Sequence, residues 1–230
     1  MGLHRDDIVE TALVLLDERG LDRLTTRSVA ERLGVRVSAL YRHFRDKREL
    51  LAEMADRVLT GIRFLLPSGE GWERQLRDVA HRLRAALLAH RDGARLVTGF
   101  AAGTSAVLRL AEGCLGILHC RGVPLPAAVY AGNAVLSFVS GFVLREQNGT
   151  CPWDGLPGSA HGSVHGPRAV QGQVPATSHG DSPEGTPFPL LSRWAVVQPS
   201  TGDLAFATGL DHLLMGIRVR LFDDPDPRTA

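Results

Sequence analysis

Residues 25–48 read TTRSVAERLGVRVSALYRHFRDKR, and Gly34 divides them into two short segments. Val29, Leu33, Val35, Leu40 and Phe44 are spaced to fix one short helix across another. The first helix is expected over 27–33, capped by Thr26 or Ser28 and stopped at Gly34, a residue that tolerates positive φ. The second is expected over 38–44, with Ser38 as its cap. Two short helices joined by a glycine turn make a helix-turn-helix, whose second helix enters the major groove of DNA.

Charge gathers at the same place. Arg23, Arg27, Arg32, Arg36, Arg42, Arg45, Lys47 and Arg48 face only Glu31 and Asp46, a local excess of six in a chain of net charge +1. Such residues neutralise phosphate and supply most of the sequence-independent affinity for DNA. A run of arginines alone reads as a solvated helical face. Its coincidence with the apolar helix-turn-helix pattern favours DNA. Arginine reads guanine bidentately, so Arg36 and Arg42 are the candidates for direct base readout.

The rest of the chain is also helical in pattern. Residues 6–19 carry Ile8, Ala12, Leu15 and Leu16 near helical spacing, with Asp6 and Asp7 in the first turn and Gly20 as the stop. Residues 47–63 put Leu50, Leu51, Met54, Val58 and Ile62 on one side. Pro67, Ser68, Gly69 and Gly71 then break the pattern, predicting a DNA-binding head over 1–66 and a second domain over 67–230. That domain is expected to hold helices from Trp72 to Leu88, over 104–120, over 125–147 and over 203–221, with a turn at 90–93, a short apolar segment to Phe100 and helical pattern at 188–197. The 125–147 segment is rich in small residues (Ala127, Ala128, Ala131, Gly132, Ala134, Ser137, Ser140, Gly141), which let helices approach closely. Residues 149–187 hold eight Gly and six Pro, and are expected to be a flexible loop. Strand alternation is absent throughout, so the fold class is all-α.

Several functions are disfavoured. No uninterrupted run reaches the roughly 18 apolar residues of a membrane span, and MGLHRDD is no secretory signal, so the cytoplasm is the expected location and no membrane partner is expected. Cys114, Cys120 and Cys151 are an odd set without metal spacing. His161, His165 and His179 near Cys151 offer zinc-type donors, but nothing rigid holds them. Nucleophile elbow, P-loop, dinucleotide and zinc-protease motifs are missing, so no catalytic residue, metal or cofactor is expected and an enzyme is the least favoured reading.

The stretch from Ala12 to Leu51, notably GLDRLTTRSVAERLGV and SALYRHFRDKRELL, resembles the signature of the tetracycline-repressor (TetR) family of bacterial transcriptional regulators. Similarity to the tetracycline-responsive branch extends through LLAHRDGARL at 87–96, GFVLREQ at 141–147, and PLLSRW through FATGLDHLLMGIRVRL. The resemblance implies DNA contacts from Thr26 and Arg27, base reading from Val37, Ser38 and Ala39, further contacts from Tyr41, Arg42 and His43, and a phosphate contact from Lys47. Tyr41 has an alternative role in bracing the helix pair, and His43 as a plain surface residue. The resemblance also implies a homodimer joined by residues 125–147 and 203–221, since a two-fold symmetric operator needs two heads.

It implies, too, a small-molecule effector among the central helices. Where the tetracycline branch carries polar groups for a magnesium–drug chelate, Val79, Leu83, Val97 and Phe100 stand here, and Arg145 replaces a carboxylate. A hard Mg²⁺ wants oxygen ligands, and this set offers none. The expected effector is therefore largely apolar, lined by Val79, Leu83, Val97, Phe100 and Phe138, with His81 a further candidate. The expected function is a ligand-released repressor; the alternative is a small-molecule-binding protein or an activator on the same fold.

Overall fold

A computed structural model describes residues 2–62, 71–149 and 202–223. Its elements are α1 (Arg5–Arg19), a 3₁₀ turn (Leu21–Arg23), α2 (Thr26–Leu33), α3 (Val37–Leu40), α4 (Lys47–Thr60), α5 (Trp72–Leu88), α6 (Gly93–Phe100), α7 (Ser105–His119), α8 (Leu125–Asn148) and α9 (Gly202–Arg218), followed by a π turn (Val219–Asp223). Among the described residues every regular element is helical, as the hydrophobic pattern predicts.

Helix boundaries follow from capping chemistry. Gly20 ends α1 at φ 79°. Thr25, not Thr26 or Ser28, caps α2: its hydroxyl accepts from the Ser28 amide at 3.0 Å, while the Thr25 amide donates to Ser28 Oγ at 3.1 Å. Ser28 is thus the reciprocal partner of the cap. Gly34, at φ 67°, closes α2, and Val35 N reaches back to the Ala30 carbonyl at 3.0 Å.

Two expected helices are longer in sequence pattern than in structure. Arg36, not Ser38, sits at the cap of α3, and the helix spans Val37–Leu40 rather than 38–44. Beyond it the bonds tighten to three-residue spacing, from Arg42 N to Ala39 O and from His43 N to Leu40 O, so 41–43 is a turn. Asp46 caps α4 by accepting from Glu49 N at 2.8 Å, and α4 ends at Thr60 rather than 63, where Ile62 N turns back to Leu59 O. The loop expected over 149–187, the helical pattern at 188–197, and the loop residues Cys151, His161, His165 and His179 lie outside the described residues, apart from Gly149.

One apolar core runs through head and body. Ile8, Leu15 and Leu16 of α1 share it with Val29 of α2, Leu40 of α3, Phe44 between α3 and α4, and Met54 of α4, all buried. The small residues of α8 divide between two jobs. Ala127, Ala128, Ala131 and Gly132 face inward, and a Cβ on Gly132 would sit 3.5 Å from Cys114 Cβ of α7. Ser137 and Gly141 face outward. By length and composition α8 is apolar enough to cross a membrane, although charged and polar residues interrupt its apolar run; its Val135, Val139 and Val143 edge is fully buried among neighbouring helices.

The head is tied to the body by polar links at α6. Asp17 accepts from the Arg91 amide at 2.9 Å and meets His90 Nδ1 at 3.0 Å. Asp92, a non-glycine residue at φ 56°, accepts from Leu21 N at 2.8 Å, and Arg95 pairs with Asp22 at 2.8 Å. Gln147 of α8 fixes the α5–α6 turn from behind: its amide donates to the Leu87 and His90 carbonyls at 2.9 and 2.8 Å, and its oxygen accepts from Ala94 N at 3.0 Å.

Candidate functional site

The head presents α3 and the residues flanking it. Leu40 and Phe44 turn inward and are buried, so they lock the motif to α1 and α2. Arg36, Ser38, Tyr41 and Arg42 are exposed, and Val37, Ala39 and His43 half-buried. Tyr41 is 51% exposed, so the bracing falls to Leu40 and Phe44. Thr26 is half-buried at the first residue of α2, with Arg27 fully outward one position on. Lys47 is exposed at the first residue of α4. All ten candidates therefore keep part of their surface open.

The arginine excess is partly spent inside the molecule. Arg27 pairs with Glu31 at 2.9 Å, Arg32 with Glu18, and Arg45 with Glu49, while Arg48 lies over the Phe100 ring at 5.9 Å. Among the described residues the side chains of Arg23, Arg36, Arg42 and Lys47 make no ion pair or hydrogen bond. Unpaired cations lose nothing internal when they meet a phosphate or a guanine.

Arg5 was missed by sequence reasoning. Its guanidinium donates to the His43 carbonyl, lies 4.3 Å from the Phe44 ring centroid, and pairs with Glu49 and Glu53 at 3.0 Å each. It therefore holds the end of the recognition turn against α4. Glu49 also accepts from the Arg45 amide at 2.7 Å; that bond, followed by Arg5, lowers its carboxyl to about 2. Arg5 is 38 residues from His43, and no local pattern signals the contact.

In the body, Val79 and Leu83 of α5 and Val97 of α6 are closed into the core. Phe138 of α8 is half-buried and joins an aromatic cluster, 5.8 Å from Phe142 and 5.6 Å from Phe206 of α9. His81 meets Phe206 edge-on at 5.2 Å. Arg84, unsuspected from sequence, chelates Glu146 at 2.5 and 2.9 Å, binds Asp203 at 2.7 Å, and covers the Phe206 ring at 4.8 Å. The Glu146 bond raises its pKa against the opposing cost of burial. Arg145 lies over Phe142 at 5.4 Å. Of the five expected lining residues, Phe100 alone borders the cavity of about 510 Å³ between head and body. Among the described residues no cluster of His, Cys, Asp and Glu is placed to hold a metal ion. Cys114 is buried, which pushes its thiol up to about 12.

A third surface is apolar and exposed. On α8 it includes Val129 and Tyr130, the latter 73% exposed, and on α9 and its extension Leu204, Met215, Val219 and Phe222. Tyr130, Asn133, Ser137 and Gly141 recur at three- and four-residue spacing, as do Leu204, Thr208, Asp211, Met215 and Val219, so each set lies on one helix face.

Residues 8–54 match the model described as bacterial regulatory proteins, tetR family, and residues 66–221 match the tetracyclin repressor-like C-terminal domain. The chain belongs to the TetR family. The tetracycline repressor protein class D of Escherichia coli is 31% identical over 221 residues, covering 95% of this chain and 91% of that protein. Among solved structures, ActR of Streptomyces coelicolor with actinorhodin has a TM-score of 0.76 at 26% identity, covering 96% of this chain and 97% of that one. BioQ with its double-stranded DNA operator has a TM-score of 0.58 at 36% identity, covering 63% of this chain and 88% of that one. TetR-family proteins are ligand-responsive DNA-binding repressors rather than enzymes.

Proposed function

We propose that this chain is a homodimeric cytoplasmic repressor that reads a palindromic operator and is released by a largely apolar organic effector. The observation that carries the reading is the pair of unpaired arginines, Arg36 and Arg42, flanking α3 on an exposed TetR-family head. Arg36 and Arg42 read bases; Lys47, Thr26, Arg27, Ser38, Tyr41 and His43 hold phosphate or the register; Val37 and Ala39 meet thymine methyls. The BioQ–operator structure supports this mode of binding.

The division is a head over 1–66 and an effector-binding, dimerising body over 67–230. The exposed apolar faces of α8 and α9 support a dimer, because such faces on two helices bury well against their own copy. Val79, Leu83, Val97, Phe100 and Phe138 form the effector site, and the Phe138–Phe142–Phe206 cluster suits an aromatic ring system. Because Val79, Leu83 and Val97 are closed, occupying the site parts α5, α6 and α8. Gln147, Asp92 and Arg95 then carry the displacement to α1 and so to the spacing of the heads. An effector works only through its different affinity for the two spacings.

Fluorescence anisotropy on duplexes flanking the coding region tests this. Saturable binding that a panel of apolar aromatic compounds reverses supports it. Failure to bind any flanking duplex, or release only by Mg²⁺–tetracycline, counts against it.

A further inference from the structure

The cavity between head and body shares only Phe100 with the effector site proposed above. It is an open cleft of about 510 Å³ whose exposed lining is more polar than apolar. Its walls come from both units: Asp22 of the 3₁₀ turn, Lys47 and Leu51 of α4, Arg95 and Phe100 of α6, and Leu144 of α8. The walls are of two kinds. Leu51, Phe100 and Leu144 form an apolar side. Arg95 and Asp22, also in the lining, neutralise one another at 2.8 Å, with Arg95 also reaching Asp92 at 3.3 Å. Lys47 is left as the lining cation without an ion pair or hydrogen bond among the described residues, and Asp22 feels its charge less than it feels the Arg95 bond. A site with an apolar wall and one uncommitted ammonium selects a molecule with an apolar body and one anionic group.

We propose that this cavity binds an amphipathic organic anion, its carboxylate or sulfonate on Lys47 and its apolar body against Leu51, Phe100 and Leu144. The same ammonium is the phosphate contact of the reading above, on which the coupling to DNA rests. Anion and DNA phosphate therefore compete for one charge, and the ligand also bridges the joint about which the head moves. This makes a second, direct route to release, beside the effector site in the core with which it shares Phe100.

Lys47 is the sole lysine of the chain, so amine chemistry reports on it with little interference. The test titrates the full-length protein with 1-anilinonaphthalene-8-sulfonate and with N-phenyl-1-naphthylamine, the same body without the sulfonate. One equivalent of the sulfonate per chain is expected, binding roughly tenfold tighter than the neutral probe. Lys47→Gln, on an exposed side chain without an ion pair or hydrogen bond among the described residues, should remove most of that difference while leaving the melting temperature unchanged. Leu144→Trp, which fills the cavity, should abolish the tighter binding. Bound sulfonate should slow acetylation of Lys47, read by mass spectrometry. Equal affinity for the two probes, sulfonate binding unchanged by Lys47→Gln, or binding unchanged by Leu144→Trp overturns the proposal. These readouts contain no DNA, so they stand or fall apart from the repressor reading. Adding duplex DNA should then displace the sulfonate, and simultaneous binding without displacement overturns the shared-charge coupling.

Discussion

Asp92 Oδ2 accepts a hydrogen bond from the backbone amide of Leu21 at 2.8 Å, tying the start of α6 to the 3₁₀ turn that follows α1. Asp92 does this from φ 56°, a left-handed conformation costly for most side chains. Losing the bond leaves a part-buried amide unsatisfied, at about 1–3 kcal/mol. Asp92→Ala adds the left-handed penalty and Asp92→Gly does not, so urea denaturation should find the alanine variant less stable by about 1 kcal/mol. Equal stabilities would mean that the backbone at 92 relaxes when the bond is lost.

The two exposed cations at the head should behave differently. Arg42→Ala is expected to cost about 1–3 kcal/mol on the operator and little on random duplex. Lys47→Ala should weaken both alike and reduce the slope of log affinity against log salt by about one unit. Anisotropy titrations at several salt concentrations distinguish them. Equal loss for Arg42→Ala on random DNA would make it a phosphate contact.

The head should lose stability in acid through Glu49. Its carboxyl sits at about 2, against 4.5 for the ordinary group, held by the Arg45 amide and then by Arg5. A lowered folded-state pKa contributes stability that is full above the unfolded value and lost as pH falls through the folded one. The gap in melting temperature between wild type and Glu49→Gln should therefore be constant above about pH 5 and shrink from pH 4.5 toward 2. A gap that does not change with pH contradicts the role given to the charged carboxylate.

The helical architecture was largely readable because period and caps are local signals. Trp72–Leu88 matches the expected span, and Gly20 and Gly34 stop their helices at positive φ as expected. The recognition helix was overestimated because the apolar spacing of Leu40 and Phe44 suits a helix or a tight turn equally well, and local bonding chose the turn. The arginine count overstated the free charge, since Arg32 pairs with Glu18 through tertiary placement and Arg45 pairs at four-residue spacing with Glu49, just beyond the counted stretch. Arg5 on His43, Arg84 on Glu146 and Gln147 on the α5–α6 turn join residues 38 to 62 positions apart, beyond any periodic pattern.

The exposed face of α8 and α9 should carry the dimer. Met215, 64% exposed in the single chain, would be buried against its copy. Met215→Glu places two like charges near the symmetry axis and should raise the dimer dissociation constant by roughly 100-fold. Sedimentation velocity should show a dimer for the wild type and monomer for the variant at micromolar concentration. A wild-type monomer would remove the basis for two-fold reading.

The most direct measurement selects bound sequences from a randomised duplex library with the full-length protein and determines the stoichiometry on the selected site. The account predicts an inverted repeat, its half-sites about one helical turn apart, bound by two subunits through Arg36 and Arg42. Recovery of no enriched sequence, or of a single asymmetric site bound by one subunit, would contradict it.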